Sequence, residues 1–537
     1  MTATATAPDE FTPEERRAIE PYFTNLDGRV FALVNLPETV KGALFARYSR
    51  SAKSLRRLFI DEFLGDLREG PQQSTGVAGV RRAEQLYARV FSDYGDDSVA
   101  QLGGVHLACE DVSNVLTKLL ERGRLAAYLE QSTRYIPYTQ RRQGRWRYHV
   151  PAELDPAPAL RDRFVRTLDS AFERYERWIE PMQAHFRAKY PKPPSDSDAV
   201  YRSAIRAKAL DTLRGMLPAA TQSNVGIYAS GQAYEMLLLR LRAHPLAEAR
   251  AVADLMLTEL RKVIPAFLTR VDQPERGVRW SQYLADTSAA TASATARAAD
   301  AATAEDRPEV TLAEFDTDGE VKVVAAALYA TSHLPDDQCL AIARRMSDEE
   351  RASVLRASIG TRANRRHKPG RAFERTRYRF DVLSDYGAFR DLQRHRMLTI
   401  EWQTLDTRHG YVEPDAIRAA GALEDWQGVM DDSAALYDAL VAAGLTTIAP
   451  YSVAMAYRIR FYMDMNARET MHVIELRTSP QGHPSYRRVC QQMHTLIAEQ
   501  AGHRAIAAAM TFADHSEVEL ERLKAERERE KKLKAKN

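Results

Sequence analysis

Residues 122–135 read Arg-Gly-Arg-Leu-Ala-Ala-Tyr-Leu-Glu-Gln-Ser-Thr-Arg-Tyr, and this stretch carries the clearest information about the fold. Its basic pair is followed, after seven residues, by Ser132, Arg134 and Tyr135, with Glu130 just upstream. A serine hydroxyl, an arginine fork and backbone N–H groups are donors that bind a phosphate monoester. Glu130 would repel a phosphate but would accept a hydrogen bond from a base or a sugar hydroxyl. On chemistry alone, a surface turn with solvated arginines is the favoured alternative.

The C-terminal half contains a second basic stretch, Arg394-His395-Arg396, and Glu374 lies upstream of it. Two arginines that flank a histidine make a cationic site for a phosphate or for an electron-rich ring. The basic end of a helix explains the same residues and is the favoured alternative on chemistry alone.

A third group of polar residues follows further downstream: Asn466, Arg468, Arg477 and His483. If one helix ran through the first three, Asn466 and Arg477 would share a face, because their separation makes about three turns. A solvated polar face is the alternative. The histidines at 367, 395 and 483 show no spacing typical of a metal site, so we expect no metal.

The two halves of the chain repeat one another in outline. The basic stretch at 122–124 is matched by the one at 394–396. Arg242 and Arg477 each precede a His-Pro pair, and the offset between them is somewhat shorter than the offset between the basic stretches. A diverged duplication with loops of different length explains both offsets.

The composition is typical of a globular protein, with 537 residues, 45% apolar and 28% charged. This length predicts roughly two to four domains. A net charge of +3 argues against a dedicated nucleic-acid binder. Cys109, Cys339 and Cys490 form no Cys-x-x-Cys pair, which argues against a disulfide framework and fits a reducing cytosol. Residues 1–9 lack the apolar core of a signal peptide and no apolar run is long enough for a membrane helix, so we expect a cytoplasmic protein.

Apolar residues recur at three and four positions over most of the chain, which predicts a mostly helical protein. Residues 287–307 are rich in Ala and Thr and favour a linker, with an exposed helix as the alternative. Residues 517–536 are mostly charged and favour a solvated, frayed helix. We therefore divide the chain into an N-terminal extension (1–40), a first repeat (41–286), a linker (287–310), a second repeat (311–515) and a charged tail (516–537).

Several of these stretches resemble the flavin-dependent thymidylate synthases. The signature of that family is Arg-His-Arg, seven residues, then Ser-x-Arg-Tyr, and residues 122–135 match it in spacing. Three further stretches resemble family motifs in order: Gly95–Leu102 for Gly-His-x-Ser-x-x-Glu-His, Arg214–Pro218 for Arg-x-x-Leu-Pro, and His244–Arg250 for His-Ala-Gln-x-Glu-Ile-Arg. The second half resembles the family at His367, Glu374, Arg394–Arg396, Asn466–Arg477 and His483. The resemblance covers most of residues 40–510.

The departures from the family pattern are complementary. The first half has Gly123, Asp96 and Gln101 where the family has His, His and Glu, and it has Gly231 and Ala233 in place of Asn and Arg. The second half keeps those residue types but lacks Ser-x-Arg-Tyr. The offset between Arg122 and Arg394, carried forward, puts Asp406 at the position of Arg134, and Thr446 stands in place of Arg214. Each half has lost roughly what the other retains.

The resemblance implies an α+β, mostly helical fold made of two tandem thymidylate synthase-like repeats, each with long helices around a small sheet. It implies FAD-dependent methylation of dUMP to dTMP, with methylenetetrahydrofolate and NADPH as co-substrates. The first repeat would bind the nucleotide through Glu130, Ser132, Arg134 and Arg214. The second would add Arg394 and Arg477 for substrate binding and catalysis, and would bind the flavin through His367, Glu374, His395, Arg396, Asn466, Arg468 and His483.

Because family members are homotetramers with sites between subunits, we expect a homodimer of this chain to form a pseudo-tetramer with composite sites. No protein nucleophile is implied, which suits the scarcity of cysteine. Two alternatives stay open: a flavoenzyme that acts on another pyrimidine nucleotide, and a degenerate homologue that binds a nucleotide without turnover.

Overall fold

A computed structural model describes residues 11–28, 30–48, 51–65, 101–300 and 302–535. Residues 95–100 of the predicted Gly95–Leu102 motif lie outside the described residues. The strands are β1 (Gly104–Ser113), β2 (Ala126–Glu130), β3 (Gln222–Ser230), β4 (Val310–Phe315), β5 (Arg377–Asp385), β6 (Thr399–Trp402) and β7 (Arg458–Asn466).

Helices connect and cover these strands. The α-helices are α1 (Pro13–Ile19), α2 (Glu38–Tyr48), α3 (Leu55–Phe59), α4 (Asn114–Leu120), α5 (Pro158–Lys189), α6 (Asp198–Leu213), α7 (Gly231–Ala243), α8 (Ala247–Leu260), α9 (Arg279–Asp300), α10 (Gly319–Thr331), α11 (Asp336–Arg345), α12 (Asp348–Ile359), α13 (Tyr386–Leu392), α14 (Asp415–Ala419), α15 (Leu423–Ala442), α16 (Ala467–Arg477), α17 (Pro484–Glu499), α18 (Arg504–Ala508) and α19 (Leu523–Lys534). Short 3₁₀ helices cover Glu20–Tyr22, Ala152–Leu154, Arg214–Met216, Pro265–Leu268, Arg371–Arg375 and Ala449–Ser452, and π-helical turns cover Ile60–Leu64 and Pro274–Val278.

The chain divides into two compact units that do not follow the predicted repeats. Unit 1 contains residues 1–110, 123–130 and 224–302, and unit 2 contains residues 111–122, 131–223 and 303–537. Much of the first half of the sequence therefore belongs to the same unit as the second half. The predicted repeat boundaries stay a prediction about the sequence.

Unit 1 is built on a three-stranded sheet with the order β1-β3-β2. Strands β2 and β3 are antiparallel, with Ala126 opposite Ala229 and Glu130 opposite Val225. Alternate residues of β3 are buried, as the two-residue period of a strand requires. The buried Tyr234 of α7 donates its hydroxyl to the carbonyl oxygens of Val105 and Ile227, at 3.0 and 3.1 Å.

Unit 2 contains a four-stranded sheet with the order β4-β5-β7-β6. All its neighbouring strands are antiparallel, and the longest pairing joins β5 to β7 from Arg377 opposite Asn466 to Asp385 opposite Arg458. The side chains at 378, 380 and 382 of β5 are fully buried and form part of the core. Strands β5 and β7 of this sheet lead directly into α13, which Arg394 and His395 follow, and into α16, which Arg477 ends.

In the part of the chain that the structure describes, a strand, a capping residue and a helix follow one another four times. Ser113 caps α4 after β1, and Asp385 caps α13 after β5, at the same offset that separates the two basic stretches. Ser230 caps α7 after β3, and Asn466 caps α16 after β7, at nearly the offset between Arg242 and Arg477. Each cap accepts a hydrogen bond from a free N–H group of the first turn of its helix. The offsets agree with the duplication predicted from the sequence.

Two segments of unit 2 pair reciprocally. The N–H of Ala219 donates to the carbonyl of Val453, and the N–H of Met455 donates to the carbonyl of Leu217. Ser230 and Asn466 are separated by a fixed number of residues. Moving one residue of the first bond forward and the other back by that number gives the two residues of the second bond. Ala220 with Tyr451 and Ala456 with Gly215 make a second reciprocal pair of bonds. Such self-complementary contacts are typical of a two-fold interface.

The predicted fold class is confirmed, since the chain is mostly helical with two small antiparallel sheets. The linker preferred for 287–307 is only partly found, because residues 287–300 continue the exposed helix α9 while 302–308 have no regular structure. Alanine has a high helix propensity, so this helix can form without contributing large side chains to a core. The charged tail is helical as expected, but Glu521 and Glu526 are buried rather than solvated. No helix of the described residues is long and apolar enough to span a membrane.

Candidate functional site

Six of the predicted site residues meet in unit 2. Arg134 follows β2, Arg214 begins the 3₁₀ helix after α6, and Arg394 and His395 follow α13. Arg477 ends α16 and His483 caps α17. Side chains from both halves of the sequence therefore line one cluster, which comprises Arg134, Arg214, Arg394, His395, Arg477 and His483.

Asp211, in the last turn of α6, joins the first-half arginines to His483. One of its carboxylate oxygens lies 2.9 Å from Arg134, and the other lies 3.4 Å from Arg214 and 3.6 Å from Nε2 of His483. Burial would raise the pKa of Asp211, but Arg134, His483 and Arg214 outweigh it and lower the pKa to about 2. Asp211 is therefore ionised at neutral pH although only 7% of it is exposed.

Asp391, in the last turn of α13, pairs with the second-half arginines as Asp211 does with those of the first half. Its carboxylate contacts Arg394 and lies 3.6 Å from Nη1 of Arg477, and its carbonyl accepts a hydrogen bond from Nη2 of Arg477. Arg214 lies 3.9 Å away. Burial would raise the pKa of Asp391, but Arg394, Arg477 and Arg214 hold it well below its ordinary value.

The ring of Tyr486 lies between the arginines of the two halves. The guanidinium carbons of Arg134 and Arg477 lie 5.9 and 5.5 Å from its centroid, within the range of cation–π interactions. The Tyr486 hydroxyl also accepts a hydrogen bond from Arg134 at 3.2 Å. This buried tyrosine fixes the spacing between the two guanidinium groups.

Some polar atoms of the cluster have no hydrogen-bond partner within the described parts of the chain. They are Nε of Arg134, Nη2 of Arg214 and Oδ1 of Asp211. A buried donor without a partner costs about 1–3 kcal/mol. Gly387 leaves the room that Arg214 occupies, because a Cβ atom there would lie 2.9 Å from Nη2 of Arg214. The cluster thus holds buried N–H groups whose hydrogen-bonding capacity no described residue uses.

His395 connects this cluster to Glu469 and His472 of α16. Nε of Arg477 donates to Nε2 of His395 at 2.9 Å, so the proton of the neutral ring is on Nδ1, which faces Glu469 at 3.6 Å. Possible ligand atoms of His395, Glu469 and His472 lie within 4.8 Å of one another. Burial and Arg477 lower the pKa of His395 well below its usual value, so its ring is neutral at neutral pH. The rings of His395 and His472 pack edge to face, with their centroids 5.5 Å apart.

A second neighbourhood lies near the start of α16. Nε of Arg468 donates to the carbonyl of Pro369 at 2.9 Å, and Nη1 lies 3.5 Å from Glu374. The side chain of Asn466 caps α16 by accepting from the N–H of Glu469. Burial raises the pKa of Glu469 to about 7, against the opposing effect of Lys368, Arg468 and Arg396. These three cations give this neighbourhood a positive character.

A sequence profile of the thymidylate synthase complementing protein family, Thy1, matches residues 43–266 and 311–502. The chain belongs to the Thy1 family. This confirms the resemblance drawn from the motifs, and the two matches cover both halves of the chain.

One of the proteins similar to this chain matches it over almost its full length. A UPF0159 protein of Chlamydia muridarum is 38% identical over 529 residues, which cover 97% of this chain and 98% of that protein. A flavin-dependent thymidylate synthase of Clostridium tetani is 26% identical over 181 residues, or 33% of this chain and 67% of that enzyme. A crystal structure of a UMP/dUMP methylase, PolB, from Streptomyces cacaoi with 5-Br dUMP covers 37% of this chain and 94% of its own, with 23% identity and a TM-score of 0.28. A score this low supports no conclusion.

Four further predicted residues, Glu130, Ser132, His367 and Arg396, are not among the six that form the arginine cluster. Glu130 is buried at the end of β2 and belongs to unit 1. Oγ of Ser132 accepts a hydrogen bond from the N–H of Arg134, which orders the loop. His367 is exposed and its Nδ1 accepts from the N–H of Ala363, and Arg396 is also exposed. The roles predicted for these four residues stay predictions.

Sequence reasoning missed Asp211, Asp391 and Tyr486. Both aspartates stand three residues before an arginine of the Thy1 pattern, in Asp211-x-x-Arg214 and Asp391-x-x-Arg394. Since residues three apart are neighbours on a helix, this spacing was a usable signal. Tyr486 had no such signal, because only the fold brings α17 against the loop at 131–135.

The structure also corrects two positions in the comparison of the halves. Ser230, rather than Gly231, corresponds to Asn466, because both cap the helix that follows their strand. The same shift along the chain puts Pro450, rather than Thr446, opposite Arg214, since both lie in the 3₁₀ helix that precedes the reciprocal segment. The sequence comparison missed these shifts because the residue identities alone did not fix the helix starts.

Proposed function

We propose that this protein methylates dUMP to dTMP in a FAD-dependent reaction that uses methylenetetrahydrofolate and NADPH. The observation that carries the proposal is the meeting of Arg134 and Arg214 with Arg477 in one buried cluster of unit 2. Membership of the Thy1 family and the similarity to the C. tetani enzyme support the same activity. The composite site would then use both halves of one chain.

The charge of the cluster supports a phosphate ligand. Four guanidinium groups, of Arg134, Arg214, Arg394 and Arg477, face two ionised carboxylates, of Asp211 and Asp391. Burial raises the pKa of the nearby Asp385, so that carboxyl offsets less positive charge than a solvated one would. The excess of about two positive charges suits a phosphate monoester, which carries about 1.5 to 2 negative charges at pH 7.

Arg477 is the residue we assign to the pyrimidine ring, with Arg394 beside it. A fixed cation stabilises negative charge that develops on the ring during the reaction. The hydrogen bond from Arg477 to His395 and its contact with Asp391 hold the guanidinium in place before the substrate binds. Pre-positioned charge of this kind costs no reorganisation in the transition state.

The residues near the start of α16 fit the anionic part of a flavin dinucleotide. Lys368, Arg396 and Arg468 all lie close enough to lower the pKa of Glu469, so their positive charge is concentrated in one place. With His367, Glu374, His395, Asn466 and His483 they form the set that we propose to hold FAD. The flavin supplies hydride transfer, while the protein residues bind, orient and exclude water.

The three cysteines are consistent with a reaction that uses no protein thiol. Cys109, Cys339 and Cys490 are all buried. Burial raises the pKa of Cys109 to about 11 and that of Cys490 to about 12. A buried thiol with so high a pKa is a poor nucleophile at neutral pH.

A second candidate is a nucleotide-binding protein without turnover. It is favoured by Asp211 and Asp391, which already pair with the arginines that a phosphate would use. In this case dUMP binds, but no dUMP-dependent oxidation of NADPH follows.

The test measures FAD uptake and dUMP-dependent NADPH oxidation with methylenetetrahydrofolate by the full-length protein. We expect both, and we expect Arg477→Gln to lower kcat far more than Arg166→Gln, an exposed arginine of α5. Protein that takes up no FAD would contradict the proposed activity. Protein that binds FAD and dUMP without turnover would support the second candidate.

A further inference from the structure

A cavity of about 670 Å³ lies in unit 2 beside Tyr135, outside the arginine cluster described above. Helices α5 and α6 form two of its walls, and the segment from Arg522 to Arg529 forms a third. The charged C-terminal segment, which has no assigned role in the proposed reaction, is therefore part of a cavity wall.

Specific contacts hold this segment against α6. Lys208 and Glu521 form an ion pair at 2.5 Å, and only 4% of the Glu521 side chain is exposed. Arg527 donates two hydrogen bonds to Asp196, at 2.6 and 2.7 Å. A buried ion pair and a bidentate pair give the segment a defined position.

The lining of the cavity is strongly basic. Five arginines face two glutamates: Arg187, Arg202, Arg206, Arg522 and Arg529 against Glu180 and Glu526. Both glutamates are already engaged, Glu180 by Arg187 and Glu526 by Arg522. The lining thus has an excess of three positive charges.

Arg202 and Arg206 are the strongest candidates for ligand binding. They lie one turn apart on α6 and are both exposed. Neither forms an ion pair or a side-chain hydrogen bond with any residue in the described ranges. Nε of Arg522 is a buried donor that also has no hydrogen-bond partner there. These guanidinium groups present several free N–H donors to one space.

We propose that this cavity binds a multiply charged anion rich in phosphate or carboxylate groups. Planar guanidinium forks recognise either group through paired hydrogen bonds. Tyr135 links the cavity to the arginine cluster, because Arg522 lies 4.3 Å and Arg134 lies 5.7 Å from the centroid of its ring. Tyr135 therefore contacts one arginine of the cavity and one arginine of the cluster.

The experiment titrates the full-length protein by calorimetry with two probes, inorganic tripolyphosphate and a tri-glutamate peptide. We expect saturable binding of at least one probe, and the tighter probe identifies the phosphate or the carboxylate class. We expect Arg202→Gln/Arg206→Gln to weaken this binding by at least about tenfold. Both substitutions are at exposed positions, so circular dichroism should show an unchanged fold.

Arg166→Gln/Arg297→Gln is the matched control, since it also removes two exposed arginines and both lie outside the cavity. Equal loss in the control and the double variant would indicate non-specific attraction and overturn the proposal. Unchanged binding in the double variant would place the anion elsewhere, as in the arginine cluster, and would also overturn it. FAD uptake by the double variant should equal that of the wild type, so a failure of this proposal is distinguishable from a failure of the proposed activity.

Discussion

At the scale of single residues, buried carboxylates determine the electrostatics of the candidate site. Asp211 and Asp391 each hold arginines that would otherwise repel one another in a space with little water. Leaving a buried charge without its partner costs roughly 3–5 kcal/mol. The aspartates therefore allow the arginines to stay buried before a ligand arrives.

Glu469 gives a prediction at this scale about pH and stability. Its pKa in the folded protein is about 7, above an ordinary value of about 4.3 in the unfolded chain. Between these values the folded state binds more protons than the unfolded state, so the free energy of unfolding contributed by Glu469 falls as pH rises. Glu469→Gln removes a titrating group and should remove this fall.

The measurement is urea unfolding of both proteins between about pH 5 and pH 8. We expect the difference in free energy of unfolding, wild type minus variant, to decrease up to about pH 7 and then level off. Burial lowers the pKa of His472 to about 4 and that of His395 well below its usual value, and both histidines contribute the opposite slope in wild type and variant. Parallel curves for the two proteins would contradict the prediction.

At the scale of elements, the segments around Pro218 and Ala454 pair reciprocally, as two copies of a duplicated segment would. These segments pack closely on α15. A Cβ atom at Gly215 would lie 2.5 Å from the ring of Trp426 and 3.0 Å from Ala456. The backbone can approach α15 this closely only because residue 215 has no side chain.

Gly215→Ala should therefore destabilise the protein by about 1–3 kcal/mol through overpacking. Gly226→Ala in β3 is the matched control, because the nearest atom to its Cβ would be 3.8 Å away, an ordinary contact. The urea midpoints of the two variants give the comparison. A Gly215→Ala variant as stable as the control would show that Trp426 can move aside at no cost.

At the scale of the whole molecule, the site residues of the two halves lie in one unit of a single chain. Arg134 and Arg477 both contact the ring of Tyr486, although they come from opposite halves of the sequence. The homodimer expected from the family stays a prediction. It is not needed to bring these two arginines together.

Mixing two inactive chains tests this arrangement. Arg134→Gln and Arg477→Gln chains, co-expressed with different tags and purified through both, should show no restored dUMP-dependent NADPH oxidation, because each chain carries one damaged cluster. Wild-type chains purified with Arg134→Gln chains in the same way should keep the activity of the intact partner. Restored activity in the double-variant mixture would mean that the site forms between chains.

Much of the fold and part of the site were predictable from sequence. The motifs at 122–135 and further along the chain resemble the family, and that resemblance implied a tandem α+β fold, whereas helical periodicity alone predicted only a mostly helical chain. The conformation of 287–300 was not predictable in the same way, because an Ala/Thr-rich segment suits both a linker and an exposed helix. The docking of Glu521 on Lys208 was missed because a charged helix looks solvated until its partner is known.

The order of amino acids is enough to locate the residues that carry the chemistry: two basic stretches, the Ser-x-Arg-Tyr motif and the residues at 466–483. Which of them meet depends on how the chain packs. Contacts such as those of Asp211 with His483, or Arg134 with Tyr486, join the first half of the sequence to the second. Their formation depends on the reciprocal packing of two diverged halves, a long-range property that no local pattern of residues encodes.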